Sequence, residues 1–213
     1  MRKTFTNLVA SCITVFGFAS TANAQFEGTI EFKKITPAET VTYVYYVKGD
    51  KIRIDEIGAT SKKVEGTSII DLATKKMISI NHGRKMYMDQ KPGTPATING
   101  KPETNETKKT KTLLGASCKE VVVTNKDDNT IVKYYFAGSK FNFLSNLLKF
   151  LNRKDKSAIY YPFNAASDAF PYLSVQTDLN GTEVSRFEAV KIEKKAVGAD
   201  VFDIPKDYKK FEQ

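Results

Sequence analysis

Hydrophobic and polar positions alternate with a period of two along most of this chain, and that spacing predicts strands. The stretch Val41–Glu56, VTYVYYVKGDKIRIDE, shows it best. Gly49-Asp50 separates two runs rich in Tyr, Val and Ile, and a tight hairpin turn takes residues that tolerate positive φ. The first run, 41–47, is apolar or aromatic on both faces. In the second, Ile52 and Ile54 point one way and Lys51, Arg53 and Asp55 the other. One strand is therefore expected to be covered on both sides and its neighbour on one, as in a curved sheet with something packed in its hollow.

The same pattern predicts a strand over Phe26–Ile35, broken by Thr36-Pro37-Ala38, and a polar link over Gly58–Gly66. Short strands follow at Thr67–Leu72, Lys76–His82 and Lys85–Gln90. Residues Lys91–Thr112 carry Pro92, Gly93, Pro95, Gly100 and Pro102 and few large apolar side chains, which predicts a long exposed loop. Its run Lys108, Lys109 and Lys111 suits a solvated edge. Strands resume at Leu113-Leu114, Lys119–Thr124 and Thr130–Ala137, with Asn125–Asn129 as a turn that lacks the ligand spacing of a calcium loop. An aromatic-rich irregular stretch, Ser157–Phe170, precedes a final hairpin, Tyr172–Leu179 and Thr182–Lys195, around Asn180-Gly181.

The period changes once. Over Phe141–Arg153, Phe143, Leu144, Leu147, Leu148, Phe150 and Leu151 share one helical face, while Asn142, Ser145, Asn146, Lys149, Asn152 and Arg153 share the other. Ser139 is the expected cap, and Arg153 and Lys154 suit the negative end of the helix dipole. A face this apolar has to be covered. Either it closes the open side of the sheet or, flanked by Lys140, Lys149, Arg153 and Lys154, it makes peripheral contact with an anionic membrane.

The N-terminus adds a compartment. Arg2 and Lys3, the apolar run Leu8–Phe18 and Ala22-Asn23-Ala24 have the form of a signal peptide over residues 1–24, with Gln25 as the first mature residue. Val9-Ala10-Ser11-Cys12 offers the alternative of lipoprotein anchoring at Cys12. Without Arg2 and Lys3, 31 basic residues face 24 acidic ones, a net charge of +7 over 189 residues, a length that suits a single domain over residues 25–213. A basic exported protein gains solubility and meets anionic envelope surfaces, and nothing in the chain resembles a nucleic-acid motif.

Candidate chemistry is sparse. Once Cys12 leaves with the signal peptide, Cys118 stands alone, so no internal disulfide forms, and its apolar flanks predict an inert buried thiol. His82, the sole histidine, sits by Gly83 and is expected in an exposed turn. The pairs Asp50/Asp55 and Asp203/Asp207 are expected as solvated charge. No metal, cofactor or catalytic constellation emerges.

Three places carry a family resemblance. They are Tyr46-Val47-Lys48-Gly49-Asp50-Lys51-Ile52-Arg53-Ile54-Asp55 with Ile69-Ile70-Asp71-Leu72 and Met77-Ile78 after it, Leu114-Gly115-Ala116-Ser117-Cys118-Lys119 running into valines, and the close Phe202-Asp203-Ile204-Pro205-Lys206-Asp207-Tyr208. In this order they resemble exported bacterial domains of unknown function in the superfamily of the lipoprotein carriers LolA and LolB. The resemblance implies a mainly β, α+β fold: an antiparallel half-barrel with helical material over its concave side, which in the carriers holds acyl chains. The long N-terminal helix of the carriers has no counterpart here.

Two non-enzymatic functions follow. In one, the half-barrel holds a lipid or other hydrophobic small molecule, lined by Val44, Tyr46, Ile54, Ile70, Ile80, Met88, Tyr134, Phe136, Leu144, Leu147 and Leu148. In the other, the same residues fill a closed core, and the protein is an envelope structural or protein-interaction module. The empty volume beneath the helix separates the two.

Overall fold

A computed structural model describes residues 25–163 and 168–212. The signal peptide, its cleavage point and Cys12 lie outside the described residues. The strands are β1 (Gly28–Ile35), β2 (Thr40–Lys48), β3 (Lys51–Ile57), β4 (Val64–Asp71), β5 (Lys76–Asn81), β6 (Met86–Asp89), β7 (Glu103–Leu113), β8 (Ala116–Asn125), β9 (Thr130–Ala137), β10 (Phe170–Thr177), β11 (Glu183–Lys194) and β12 (Lys209–Lys210). Two helices, α1 (Phe143–Leu151) and α2 (Lys156–Ile159), lie between β9 and β10.

Among the described residues all the strands form one open sheet, ordered β12-β6-β5-β4-β3-β2-β1-β11-β10-β9-β8-β7. Two antiparallel meanders join at its centre, where β1 pairs with β11 from Gly28↔Lys194 to Ile35↔Arg186. Gly28 is required there: its φ is +152°, and a Cβ would fall 1.9 Å from the Glu193 carbonyl oxygen. β12 alone runs parallel to its neighbour, β6.

The hairpin register sets which face is core. With Gly49 and Asp50 as the turn, Val47 pairs with Ile52 and Tyr45 with Ile54. Ile52 in turn meets Ile70. These residues join Ile30, Phe32, Val121, Val123, Val132, Tyr134 and Phe136 in one core on the inner face. The helix α1 seals that face, with Phe143, Leu144 and Leu147 buried and Leu148, Phe150 and Leu151 packed against the cluster. Burial on this scale stabilises by about 1.5–3 kcal/mol per fully buried side chain before entropy is counted. The apolar face of α1 lies on the sheet, so it is not free for a membrane.

Several expectations change. Residues 103–112, expected in a loop, belong to the edge strand β7, which ends at Leu113. Its side chains are almost all exposed, so no hydrophobic alternation marks it; backbone pairing to β8 and a set of threonines hold it instead. A bulge between Glu106 and Thr110, with Lys108, Lys109 and Lys111, guards this edge. β4 begins at Val64, inside the expected link, and β10 at Phe170, with an irregularity that accommodates Pro171. The cap of α1 is Asn142 rather than Ser139 and makes no side-chain cap bond, and the helix ends at an αL Asn152.

The C-terminal tail covers the outer face of the first meander. Val197 and Phe202 are buried, Arg53 donates to the Val201 carbonyl (2.9 Å), and β12 then pairs with β6.

Candidate functional site

The inner face beneath α1 is the expected ligand site. Of the residues expected to line it, Ile54, Ile70, Tyr134, Phe136, Leu144 and Leu147 are buried there, with Leu148 beside them. Met88 is partly exposed, on the same side by register: it pairs with Ser79, which follows Ser68 and Ile54 across the sheet. Val44, Tyr46 and Ile80 point away. Tyr46 pairs with Arg53, and their side chains stack on the outer face (5.8 Å). Val44, Asp55, Thr67 and Ile80 follow one another across that same face. The first run of the opening hairpin is apolar on both faces and has no phase of its own. The pairing that its two-residue turn imposes on Ile52 and Ile54 was the signal that could have supplied it.

Rings fill most of the hollow. Phe26 stacks on Phe141 at 4.7 Å, Phe32 meets Tyr45 edge-on at 4.8 Å, and Tyr134 stacks on Phe136 at 5.2 Å. The remaining cavity between α1, α2 and strands β1, β10 and β11 is about 80 Å³. Its walls include Phe32, Tyr45, Leu144 and Phe187, and its rim carries Arg153 and Asp155. Ligand pockets typically offer about 300–1,000 Å³.

Polar ties hold the cover in place. Lys34 pairs with Asp155 (2.5 Å), and the Tyr134 hydroxyl donates to the Ser157 carbonyl (2.7 Å). Lys156 (2.6 Å) and the Tyr160 hydroxyl (2.5 Å) both reach the Asp128 carboxylate, whose pKa these bonds hold below its ordinary value. Burial pushes the Tyr161 hydroxyl up to about 12, and it donates to the Ala169 carbonyl. Asp128 is thus a structural anchor.

The outer face holds a network that the sequence concealed. Asp55 is 2 % exposed, not solvated, because the tail lies over it. Its Oδ1 accepts from Arg53 (2.8 Å) and from the Thr67 hydroxyl (2.5 Å). Since Thr67 donates there, it accepts from His82 Nε2 (2.8 Å), which leaves Nδ1 to accept from the Tyr208 hydroxyl (2.8 Å). His82 is therefore half-buried and bonded at both nitrogens rather than exposed. The chain of bonds fastens the tail to the sheet.

Burial, then the nearby Arg53, lowers the His82 pKa, and Asp55 opposes them. The unfolded chain takes up this proton near pH 6.5 and the folded one only at lower pH. Stability from this residue is present above the unfolded value and falls as pH drops below it, until the folded ring also titrates. Thermal melts at pH 7.5 and 5.5 should show that fall, and His82→Gln should reduce it.

Cys118 is fully buried, on the β8 face opposite the core, and burial pushes its thiol pKa up. A thiol reagent is expected to label native protein slowly and denatured protein fully; fast native labelling would contradict this. Among the described residues no group of three or more His, Cys, Asp or Glu side chains is placed to hold a metal ion, and no helix is long and apolar enough to cross a membrane.

The sequence profile of DUF4412, a domain of unknown function, matches residues 26–208. No curated protein matches the chain. An uncharacterised conserved protein from Thermus thermophilus superposes with a TM-score of 0.57 at 10 % identity, over 90 % of this chain and 93 % of that one. MucB in its Pseudomonas aeruginosa complex with MucA is represented by a TM-score of 0.51 at 10 % identity, over 86 % of this chain and 56 % of the matched one. A Vibrio parahaemolyticus domain, provisionally described as an outer membrane lipoprotein-sorting protein domain, gives 0.34 at 8 % identity, over 83 % and 88 %. At these identities the first two likenesses speak to fold alone.

Proposed function

We propose that this chain, which belongs to the DUF4412 family of domains of unknown function, is an exported, non-enzymatic binding protein of the cell envelope that works through its surface. The observation that carries this is the filled interior: about 80 Å³ remains beneath α1, too little for an acyl chain in a pocket of ordinary size. The half-barrel then serves as a rigid frame for its rims and faces. MucB, which shares the fold, was solved in complex with MucA, and that precedent of a protein partner is an analogy of fold.

A second reading rests on the crevice itself. Its apolar walls and the Arg153 at its rim suit the chain and head of an anionic lipid, if α1 is displaced first.

Native mass spectrometry of protein purified from its own envelope separates the two. The surface-acting protein is expected at the mass of residues 25–213 with no adduct. A co-purified acyl species would overturn it in favour of the second reading, and a diacylated form beginning at Cys12 would replace the soluble protein with an anchored one.

A further inference from the structure

The larger open space lies at one rim of the half-barrel, outside the core. A groove of about 630 Å³ runs between the β2–β3 turn, the β4–β5 turn, the loop after β6 and the flank of α1. Its floor is apolar: Leu72 and Phe150 rest on the core cluster and turn their remaining surface into the groove. Pro92 adds an apolar wall.

Hydrogen bonds fix each wall before anything binds. The Leu72 N–H donates to the Asp50 carbonyl (2.9 Å), joining the two turns. Asp71 accepts from the Thr74 N–H (2.9 Å), which shapes the turn ending at Lys75. The Asn152 amide donates to the Gly93 carbonyl (2.8 Å), holding the loop against the end of α1. A groove built this way loses little further entropy when it is occupied.

Charge then selects the occupant. Lys75 and Lys149 line the groove from opposite sides, both exposed, and neither has an ion pair among the described residues. Lys149 also suits the end of the α1 dipole, but Lys75, on a turn, has no such role. Asp50 and Asn146 complete the lining. A carboxylate fits between the lysines and an apolar side chain fits the floor, while Asp50 and Asn146, both exposed, can pair with backbone N–H and C=O groups. An acyl chain has no such groups to offer.

We infer that this rim groove binds a peptide segment of a partner protein in which an acidic side chain neighbours an apolar one. The inference rests on the surface-acting function proposed above. Its test is an NMR titration of the whole mature protein with the acetylated, amidated peptide Ala-Leu-Glu-Phe-Ala and its Gln and Lys counterparts. Amide shifts are expected to cluster at Leu72, Lys75, Lys149 and Phe150. Binding is expected to weaken about tenfold when Glu becomes Gln, the loss of a charge-assisted contact. The double variant Lys75→Glu, Lys149→Glu is expected to lose the Glu peptide, gain the Lys peptide and still unfold cooperatively, because both side chains are exposed and only Lys149 leaves the end of the α1 dipole.

No response to the peptide, scattered shifts, or equal affinity for the Glu and Gln forms would overturn the inference. So would phosphatidylglycerol vesicles that perturb these residues when the peptide does not, which would give the groove to lipid. These failures are separate from that of the proposed function, which a co-purified acyl chain inside the half-barrel would overturn.

Discussion

Leu147→Asp is expected to remove most of the protein's stability. Leu147 is 0 % exposed, at the centre of the α1 face that seals the inner sheet. The change places a carboxylate among the buried apolar side chains of the core cluster, and it removes a packed isobutyl group. Each effect alone costs on the order of 2–4 kcal/mol. Together they approach the total stability of an ordinary domain, about 5–15 kcal/mol. Urea unfolding should show a greatly lowered midpoint or no cooperative transition. A helix that met a membrane instead would already expose this face, and the variant would then melt normally and lose vesicle binding.

The second large effect is expected on the other side of the sheet. Asp55→Ala takes the acceptor from Arg53 and from Thr67 at once, beneath a tail that keeps water out. The Arg53 side chain is only 20 % exposed, and a mostly buried charge that loses its partner costs about 3 kcal/mol. Asp55→Asn keeps an oxygen for the same donors and should lose about half as much. Chemical denaturation of the three proteins compares them. A loss under about 0.5 kcal/mol in the alanine variant, within the range of ordinary surface substitutions, would mean that the tail is not seated over Asp55.

The strand series and the helix were legible because their periods are strong. The hairpin turn at Gly49-Asp50 and the apolar face of α1 need only local sequence, and both stand where expected. β7 was hidden because a strand exposed on both faces has no alternation to read. Val44, Tyr46 and Ile80 were misplaced because β2 and β5 have apolar residues on both faces, and only cross-strand register says which face is which.

The polar network was hidden for a different reason. Asp55 alternates with isoleucines, as a solvated residue would, and what buries it is a tail some 150 residues later in the chain. The close around Pro205 did announce itself, through Phe202 and Tyr208, but nothing local tied Tyr208 to His82. The rim groove is more dispersed still: its lining comes from two turns, a loop and a helix flank.

The central claim is that α1 is part of a filled, closed core, and native-state hydrogen exchange tests it most directly. The amides of residues 147–151 in α1 are expected to exchange only by the opening that also releases β1 and β2, with equal free energies and equal denaturant dependence. Exchange in α1 that is orders of magnitude faster, while β1 and β2 stay protected, would contradict the claim: the helix would then open by itself, and the interior would be accessible to a ligand.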